Sequence, residues 1–223
     1  MCESCQSTVK RIEFRKLPVD EAAPRVGTGD NVNPREFGTV PHLPGEQGMW
    51  IFILGDMSIF AVMFCAYLVA RRETPVLFAR SSAELSTTVG AVNTLLLLSS
   101  SLLVVTAVRV LRDGAGRNAH KLIAAAIGCG VAFVGIKGFE WGGHLADGFD
   151  PASNAFWRYY YILTGFHLFH LLMGLAALTY MHRQAQRTEI DELRVRFVEG
   201  GACFWHMVDL LWVVLFPLLY LLR

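Results

Sequence analysis

The sequence predicts an all-α, polytopic membrane protein built as a bundle of five transmembrane helices. Charged residues make up only 17% of the 223-residue chain, whereas soluble domains carry roughly 25%. Apolar residues make up 53%, and long windows hold no charge at all. The formal net charge is only +1, so a basic nucleic-acid-binding protein and an acidic disordered chain are both excluded.

Five windows have the length and composition of membrane spans. A spanning helix needs about 20 mainly apolar residues to cross roughly 30 Å of hydrocarbon. None of the windows shows the two-residue alternation of an outer-membrane strand, and each is too long for one. The predicted helices, joined by short loops, are 48–70, 87–108, 122–141, 159–181 and 200–222.

Charged residues mark the limits of these windows in chain order. The flanking charges are Arg71 after the first, Arg109 after the second, Lys121 before the third, Arg158 and Arg183 around the fourth, and Glu199 before the fifth. Tryptophan and tyrosine also cluster near the window ends, as in an interfacial aromatic belt. These aromatic residues are Trp50, Trp141, Trp157, Tyr159, Tyr160, Tyr161 and Tyr220.

The distribution of Lys and Arg predicts the orientation of the bundle. Of the 20 basic residues, 14 fall in the N-terminal segment and in the second and fourth loops, and five fall on the opposite side. Cytoplasmic segments carry the excess of Lys and Arg. We therefore expect a cytoplasmic N-terminus and an external C-terminus in a multi-pass protein of a bacterial-type inner (plasma) membrane.

Residues 1–47 are predicted to form a polar, flexible cytoplasmic tail, separate from the membrane domain at 48–223. Prolines interrupt the segment, and no helical period persists in it. Cys2 and Cys5 have the C-x-x-C spacing of metal and thiol-redox sites. One such pair supplies only two ligands, whereas tetrahedral zinc takes four, so reduced cytosolic thiols are the simpler interpretation.

Seven ionisable residues lie inside the predicted spans. Such residues are costly in hydrocarbon and mark candidate functional sites. At a rise of ~1.5 Å per residue, Asp56, His170, His206 and Asp209 share one layer of the inner leaflet, with His167 slightly deeper. Lys137 and Glu140 lie near the outer end of the third helix, where their i, i+3 spacing predicts a structural ion pair.

Three interpretations of the inner layer remain open at this point. The polar groups can join helices through hydrogen bonds. The carboxylates and imidazoles can also relay protons, because histidine titrates near neutral pH. Finally, His167, His170 and His206 can ligate a metal or a haem.

The order and spacing of these residues resemble the cytochrome c oxidase subunit III family. Five segments carry the resemblance, in family order over about residues 44–223. They are Gly48–Asp56 (GMWIFILGD), Asn93–Thr94, Phe139–Trp141 (FEW), Thr164–His170 (TGFHLFH) and Trp205–Trp212 (WHMVDLLW). The family has a membrane-buried carboxylate, usually Glu, at the position that Asp56 occupies here.

The resemblance implies a non-catalytic subunit of a respiratory haem–copper terminal oxidase. Such a subunit binds neither haem nor copper, which belong to the partner catalytic subunit I. It holds phospholipids and supports proton uptake for aerobic electron transport. Asp56 would be the carbodiimide-reactive, proton-related carboxylate, while His167, His170, His206 and Asp209 would help to hold lipid and helices together.

Three features depart from the longer family members. Five helices replace seven, Lys137 stands where a neutral amide is common, and the tail with Cys2 and Cys5 has no counterpart. The five-helix form also resembles the branch associated with nitric oxide reductase, so an accessory subunit of that enzyme is an alternative. A stand-alone membrane proton carrier or transporter and a haem-binding electron-transfer protein are alternatives of other classes, whereas catalysis by this chain alone is not expected.

Overall fold

The computed structural model describes residues 47–112, 119–186 and 192–222, and within these ranges the side chains of 47, 112 and 192–197 are not described. The described residues form six α-helices and a closing π-helical turn. The α-helices are α1 (Gln47–Glu73), α2 (Pro75–Ala83), α3 (Thr87–Arg112), α4 (Ala119–Ala146), α5 (Ala155–Ala185) and α6 (Glu192–Phe216), and the π-turn is Pro217–Leu221. The predicted tail and its Cys2–Cys5 pair lie outside these residues.

Five of the helices are long and apolar enough to cross a membrane, which confirms the predicted fold class. These spans are Gly48–Glu73, Thr87–Leu111, Ala119–Ala146, Ala155–Ala185 and Val198–Leu221. Each predicted window falls almost wholly within one of them, but the helices extend beyond the windows, since amphipathic and charged residues continue the turns past the apolar stretch.

The short helix α2 was not predicted, because its nine residues are too few for a span. Pro75 occupies its first turn, where the missing N–H costs no hydrogen bond. Phe78 of this helix is fully buried in the bundle, whereas Val76 of the same helix is 81% exposed. The helix therefore lies with one face on the bundle, against α5, α1 and the π-turn.

Helices α3 to α6 enclose the core, and α1 packs on the outside against α5 and α6. Of the most apolar part of each span, 61% is buried in α6, whereas only 22% is buried in α1 and in α3. Successive spans run antiparallel, so the start of α1 lies at one end, hereafter the N-terminal end of the bundle. The π-turn lies at the opposite end, hereafter the C-terminal end.

The loop between α4 and α5 is ordered by its own side chains. The Asp150 carboxylate accepts hydrogen bonds from the Ser153 hydroxyl and from the Ala152 N–H, and these bonds hold the pKa of that carboxyl below its usual range. Gly148 has φ +84°, a left-handed conformation that favours glycine. Asn154 then caps α5 by accepting from the Trp157 N–H, so the start of α5 is well defined.

Trp205 of α6 occupies the space beside two glycines. A Cβ added to Gly174 of α5 would lie 2.7 Å from the Trp205 ring, and one added to Gly130 of α4 would lie 3.0 Å from it. Trp205 is fully buried, so it has little room to shift. These two glycines therefore permit the close approach of α4 and α5 to α6.

We expect Gly174→Ala to destabilise the protein by about 1–3 kcal/mol, because the added methyl group overpacks the Trp205 ring. Gly165→Ala on the same helix is the matched control, since its Cβ would make an ordinary 3.5 Å contact with Trp141. Thermal unfolding of both variants in mild detergent, followed by tryptophan fluorescence, measures the difference. Equal melting temperatures for the two variants would contradict the packing argument.

Candidate functional site

The membrane-buried carboxylate of α1 pairs with a histidine of α5. Nε2 of His170 lies 2.9 Å from Oδ1 of Asp56, and the two side chains are 5% and 7% exposed. Sequence analysis placed His170 and His206 in the same layer as Asp56, and the structure brings His170 to it. This contact joins the peripheral helix α1 to the core.

The hydrogen bond of the second ring nitrogen of His170 determines the proton count of the Asp56–His170 pair. Nδ1 lies 2.7 Å from the carbonyl oxygen of Phe166, and a carbonyl can only accept, so Nδ1 carries a hydrogen. A hydrogen bond between Nε2 and Asp56 then requires one more proton, which resides on either the imidazole or the carboxyl group. The geometry of the Asp56–His170 pair therefore allows one proton to be shared between Nε2 and Oδ1.

Aromatic rings surround this pair and reduce its contact with solvent. The His170 ring lies 5.4 Å from Phe60, 5.0 Å from Phe166 and 5.5 Å from Phe169, measured between centroids. Such an apolar setting strengthens a hydrogen bond that is made and makes an unpaired polar atom costly. The other carboxylate oxygen of Asp56, Oδ2, is buried without a hydrogen-bond partner among the described residues.

His206 lies at the predicted depth of Asp56 but contacts a residue of α3 instead. Its Nδ1 lies 2.6 Å from the hydroxyl oxygen of Ser101 on α3. Sequence analysis did not identify Ser101, because a serine within an apolar helix usually bonds its own backbone. Its depth was the available signal, because Ser101 and His206 both lie about 10 Å from the same end of the predicted bundle at ~1.5 Å per residue.

Asp209 and His167 lie deeper in the bundle. Asp209 is 4% exposed, and His167 is fully buried with its ring 5.1 Å from Trp212 and 5.8 Å from Phe133. The Ser101 hydroxyl lies close to the Asp209 carboxyl but is engaged with His206, and neither carboxylate oxygen has a hydrogen-bond partner among the described residues. The predicted layer is therefore divided into the Asp56–His170 pair, the Ser101–His206 pair and two interior groups.

The histidines do not form a common ligand set. His170 is engaged with Asp56, His206 with Ser101, and His167 is enclosed by aromatic rings. Within residues 47–112, 119–186 and 192–222, no group of three His, Cys, Asp or Glu side chains could hold a metal ion. This arrangement does not fit axial ligation of a haem by His167 and His206.

A second polar centre lies near the C-terminal end of the bundle around Lys137, hereafter the Lys137 cluster (Lys137, Glu140, Tyr160 and Tyr220). The Lys137 side chain is only 1% exposed, and its Nζ lies 3.3 Å from Oε2 of Glu140. The ammonium group also donates to the Tyr160 hydroxyl at 3.0 Å and to the Tyr220 hydroxyl at 2.7 Å. All three of its donors therefore have partners.

The two tyrosines complete the cluster by donating to the carboxylate. Oε1 of Glu140 accepts from Tyr160 at 2.9 Å and from Tyr220 at 2.6 Å. The sequence predicted the ion pair but assigned both tyrosines to an interfacial belt, whereas they are fully buried. Because each lies at the same end of its span as Glu140, depth was again the signal that could have identified them.

Most of the described chain matches one known protein family. Residues 44–222 match the family described as "Cytochrome c oxidase subunit III". The chain belongs to the cytochrome c oxidase subunit III family. The matched range contains all five spans and the positions of the Asp56–His170 pair and the Lys137 cluster.

Individual relatives extend the match to bacterial proteins. A "Cytochrome c oxidase subunit 3" from Synechocystis is 31% identical over 78% of this chain and 74% of its own length. A protein of the same name from Thermostichus vulcanus is 28% identical, covering 78% and 86% of the two chains. A "Probable quinol oxidase subunit 3" from Staphylococcus aureus is 23% identical, covering 79% and 88%.

We expect Lys137→Met to destabilise this subunit III family member by about 3–5 kcal/mol, because the change leaves the Glu140 charge buried without its counter-charge. The double variant Lys137→Gln/Glu140→Gln should lose much less, since two neutral amides can still hydrogen-bond the phenols. Thermal unfolding in mild detergent provides the measurement.

Lys121→Met is the matched control for this series, because Lys121 is an exposed lysine on the same helix. It should melt close to the wild-type temperature. If Lys137→Met were as stable as the control, the cluster would not contribute to folding as a charge pair.

Proposed function

We propose that this chain is the non-catalytic subunit III of a respiratory haem–copper oxidase. The family match over residues 44–222 is the observation that carries the proposal. The subunit packs against catalytic subunit I and supports proton uptake during aerobic electron transport. Catalysis is not assigned to this chain alone.

Oxygen reduction in such a complex uses the haem and copper of the partner catalytic subunit. The residues of this chain would act on protons and on helix position. In the proposal, the Asp56–His170 pair holds a proton at Oδ1 or Nε2 within an apolar shell, and the Lys137 cluster fixes the opposite end of α6. The hydrogen bonds of His170 support the proton role. Nδ1 already donates to a carbonyl, so the proton that is shared with Asp56 lies on the Nε2 side of the ring.

The proposed setting is the plasma membrane, with the N-terminal end of the bundle at the cytoplasmic face. The excess of Lys and Arg in the N-terminal segment and in the second and fourth loops supports this orientation. The bacterial relatives support the choice of membrane.

Phospholipid is proposed as a further partner. At the N-terminal end, α1, α5 and α6 border a groove of about 480 Å³ whose lining includes Met49, Phe52, Met173 and Phe204. An apolar lining of flexible methionines and aromatic rings suits a lipid acyl chain. The groove supports the proposal because its lining is largely apolar and because it is bordered by three membrane-spanning helices.

The alternative functions are not favoured by the relatives. Those described above carry the names of oxidase subunits, either of cytochrome c oxidase or of quinol oxidase. A nitric oxide reductase subunit and a stand-alone transporter therefore have less support. The proposal covers both electron donors, and measurement of oxidase activity with each donor distinguishes them.

We expect the tagged chain, purified from native membranes in mild detergent, to bring larger membrane subunits with it. The reduced-minus-oxidised absorption spectrum should show haem, because the partner catalytic subunit contains it. An unrelated polytopic membrane protein with the same tag is the control for nonspecific carry-over. A colourless preparation without larger subunits would overturn the proposed function.

We expect Asp56→Asn to lower proton uptake and sustained turnover of the complex severalfold, while assembly is retained. The amide preserves the shape of the side chain but cannot take the proton that the Asp56–His170 pair shares. Glu84→Gln is the matched control, because Glu84 is an exposed carboxylate beyond the spans. Unchanged proton uptake and turnover in Asp56→Asn would contradict the proton role.

A further inference from the structure

Three buried polar side chains in the core of the bundle have both of their polar atoms without a hydrogen-bond partner among the described residues. They are Asn93 on α3, His167 on α5 and Asp209 on α6, and each is at most 4% exposed. The unpartnered atoms are both amide atoms of Asn93, both ring nitrogens of His167 and both carboxylate oxygens of Asp209. Buried polar atoms in folded proteins almost always have a partner, so these six atoms require one.

The contacts of Trp212 relate the positions of these three residues in the core. Its indole Nε1 donates to Thr94 Oγ1 at 3.1 Å, and Thr94 is the neighbour of Asn93. Its ring lies 5.1 Å from the His167 ring and 4.8 Å from the Phe133 ring. Asp209 precedes Trp212 by three residues, which places both on the same side of α6.

The separation along the bundle axis can be estimated from two cross-links between the antiparallel helices α3 and α6. One cross-link joins Thr94 to Trp212, and the other joins Ser101 to His206. At ~1.5 Å per residue, the first cross-link places the backbones of Asn93 and Asp209 about 6 Å apart along the axis, and the second places them about 7.5 Å apart. One water molecule with two hydrogen bonds of ~2.8 Å each bridges polar atoms about 5.6 Å apart, so side chains that extend toward each other over this offset come within its span.

We propose that the core holds a bound-water site bridged by Asn93, His167 and Asp209, hereafter the hydration site. Water is the ligand class that these groups fit, because they include both donors and acceptors and a buried water typically makes about three hydrogen bonds. An ion is a poorer match, since the described residues contain no group of three metal-ligating side chains. The inference rests on the core of this chain and does not depend on the proposed function.

The hydration site is distinct from the Asp56–His170 pair. That pair lies on α1 and α5 and its imidazole nitrogens are both engaged, whereas the hydration site lies among α3, α5 and α6. Its nearest polar neighbour along α6 is the Ser101–His206 pair, and His206 is only partly buried. Water at Asp209 would therefore connect the core to a less buried histidine.

Radiolytic hydroxyl labelling of the complex purified from native membranes tests the proposal, because bound water produces oxidation of side chains that bulk solvent does not reach. Trp212 and Trp157 form a matched pair, since one is fully buried and the other is 1% exposed. We expect Trp212 to be oxidised several times faster than Trp157. Equal slow labelling of the two tryptophans would overturn the hydration site.

Two variants distinguish the site from a general difference between the tryptophans. Asn93→Leu/Asp209→Leu removes the polar atoms and should reduce Trp212 labelling to the Trp157 rate. Ser100→Ala is the control, because Ser100 is a buried polar residue of the same helix that already donates to the Ala126 carbonyl. Its Trp212 labelling should equal that of the wild type, and unchanged labelling in the Leu/Leu variant would contradict the proposal.

A high-resolution cryo-electron microscopy map of the wild-type complex provides a second measurement that needs no variant. Density within hydrogen-bond distance of at least two of the three side chains is the expected result. A direct hydrogen bond between the Asn93 amide and the Asp209 carboxyl, with no density between them, would overturn the proposal even if the double variant failed to fold.

Discussion

The high cost of an unpaired polar group governs this bundle, because the surrounding hydrocarbon offers no water to hydrogen-bond it. The Lys137 ammonium illustrates most fully how this cost is avoided. Its three donors meet the Glu140 carboxylate and two tyrosine hydroxyls, and both hydroxyls donate in turn to the same carboxylate. The charge is neutralised within a closed set of hydrogen bonds that joins α4, α5 and the π-turn.

The C-terminal segment changes from an α-helix to a π-turn at Pro217. This residue cannot donate a backbone hydrogen bond, and the wider π-turn begins with it. Tyr220 then faces Lys137, while the carbonyl of Leu222 accepts from Arg71 of α1 at 2.6 Å. Two cations from different helices thus hold the end of α6, the helix that carries His206 and Asp209.

The N-terminal half of the bundle uses polar groups differently. There the contacts are pairs rather than a closed cluster, with Asp56–His170 between α1 and α5 and Ser101–His206 between α3 and α6. A pair with a single shared proton can change its protonation without loss of a whole network. The more exposed centre is therefore the better candidate for proton exchange, and the enclosed Lys137 cluster is the better candidate for stability.

The sequence by itself determined the membrane class, the five spans, the Lys137–Glu140 pairing and the approximate depth of each ionisable residue. These follow from hydropathy, helical rise and i, i+3 spacing, which act along the chain. Only the tertiary structure decided that Asp56 meets His170, that His206 meets Ser101 and that Tyr160 and Tyr220 turn inward to Lys137. Depth places residues at one level of a bundle but leaves their direction around each helix open, and that direction is determined by which helices pack together.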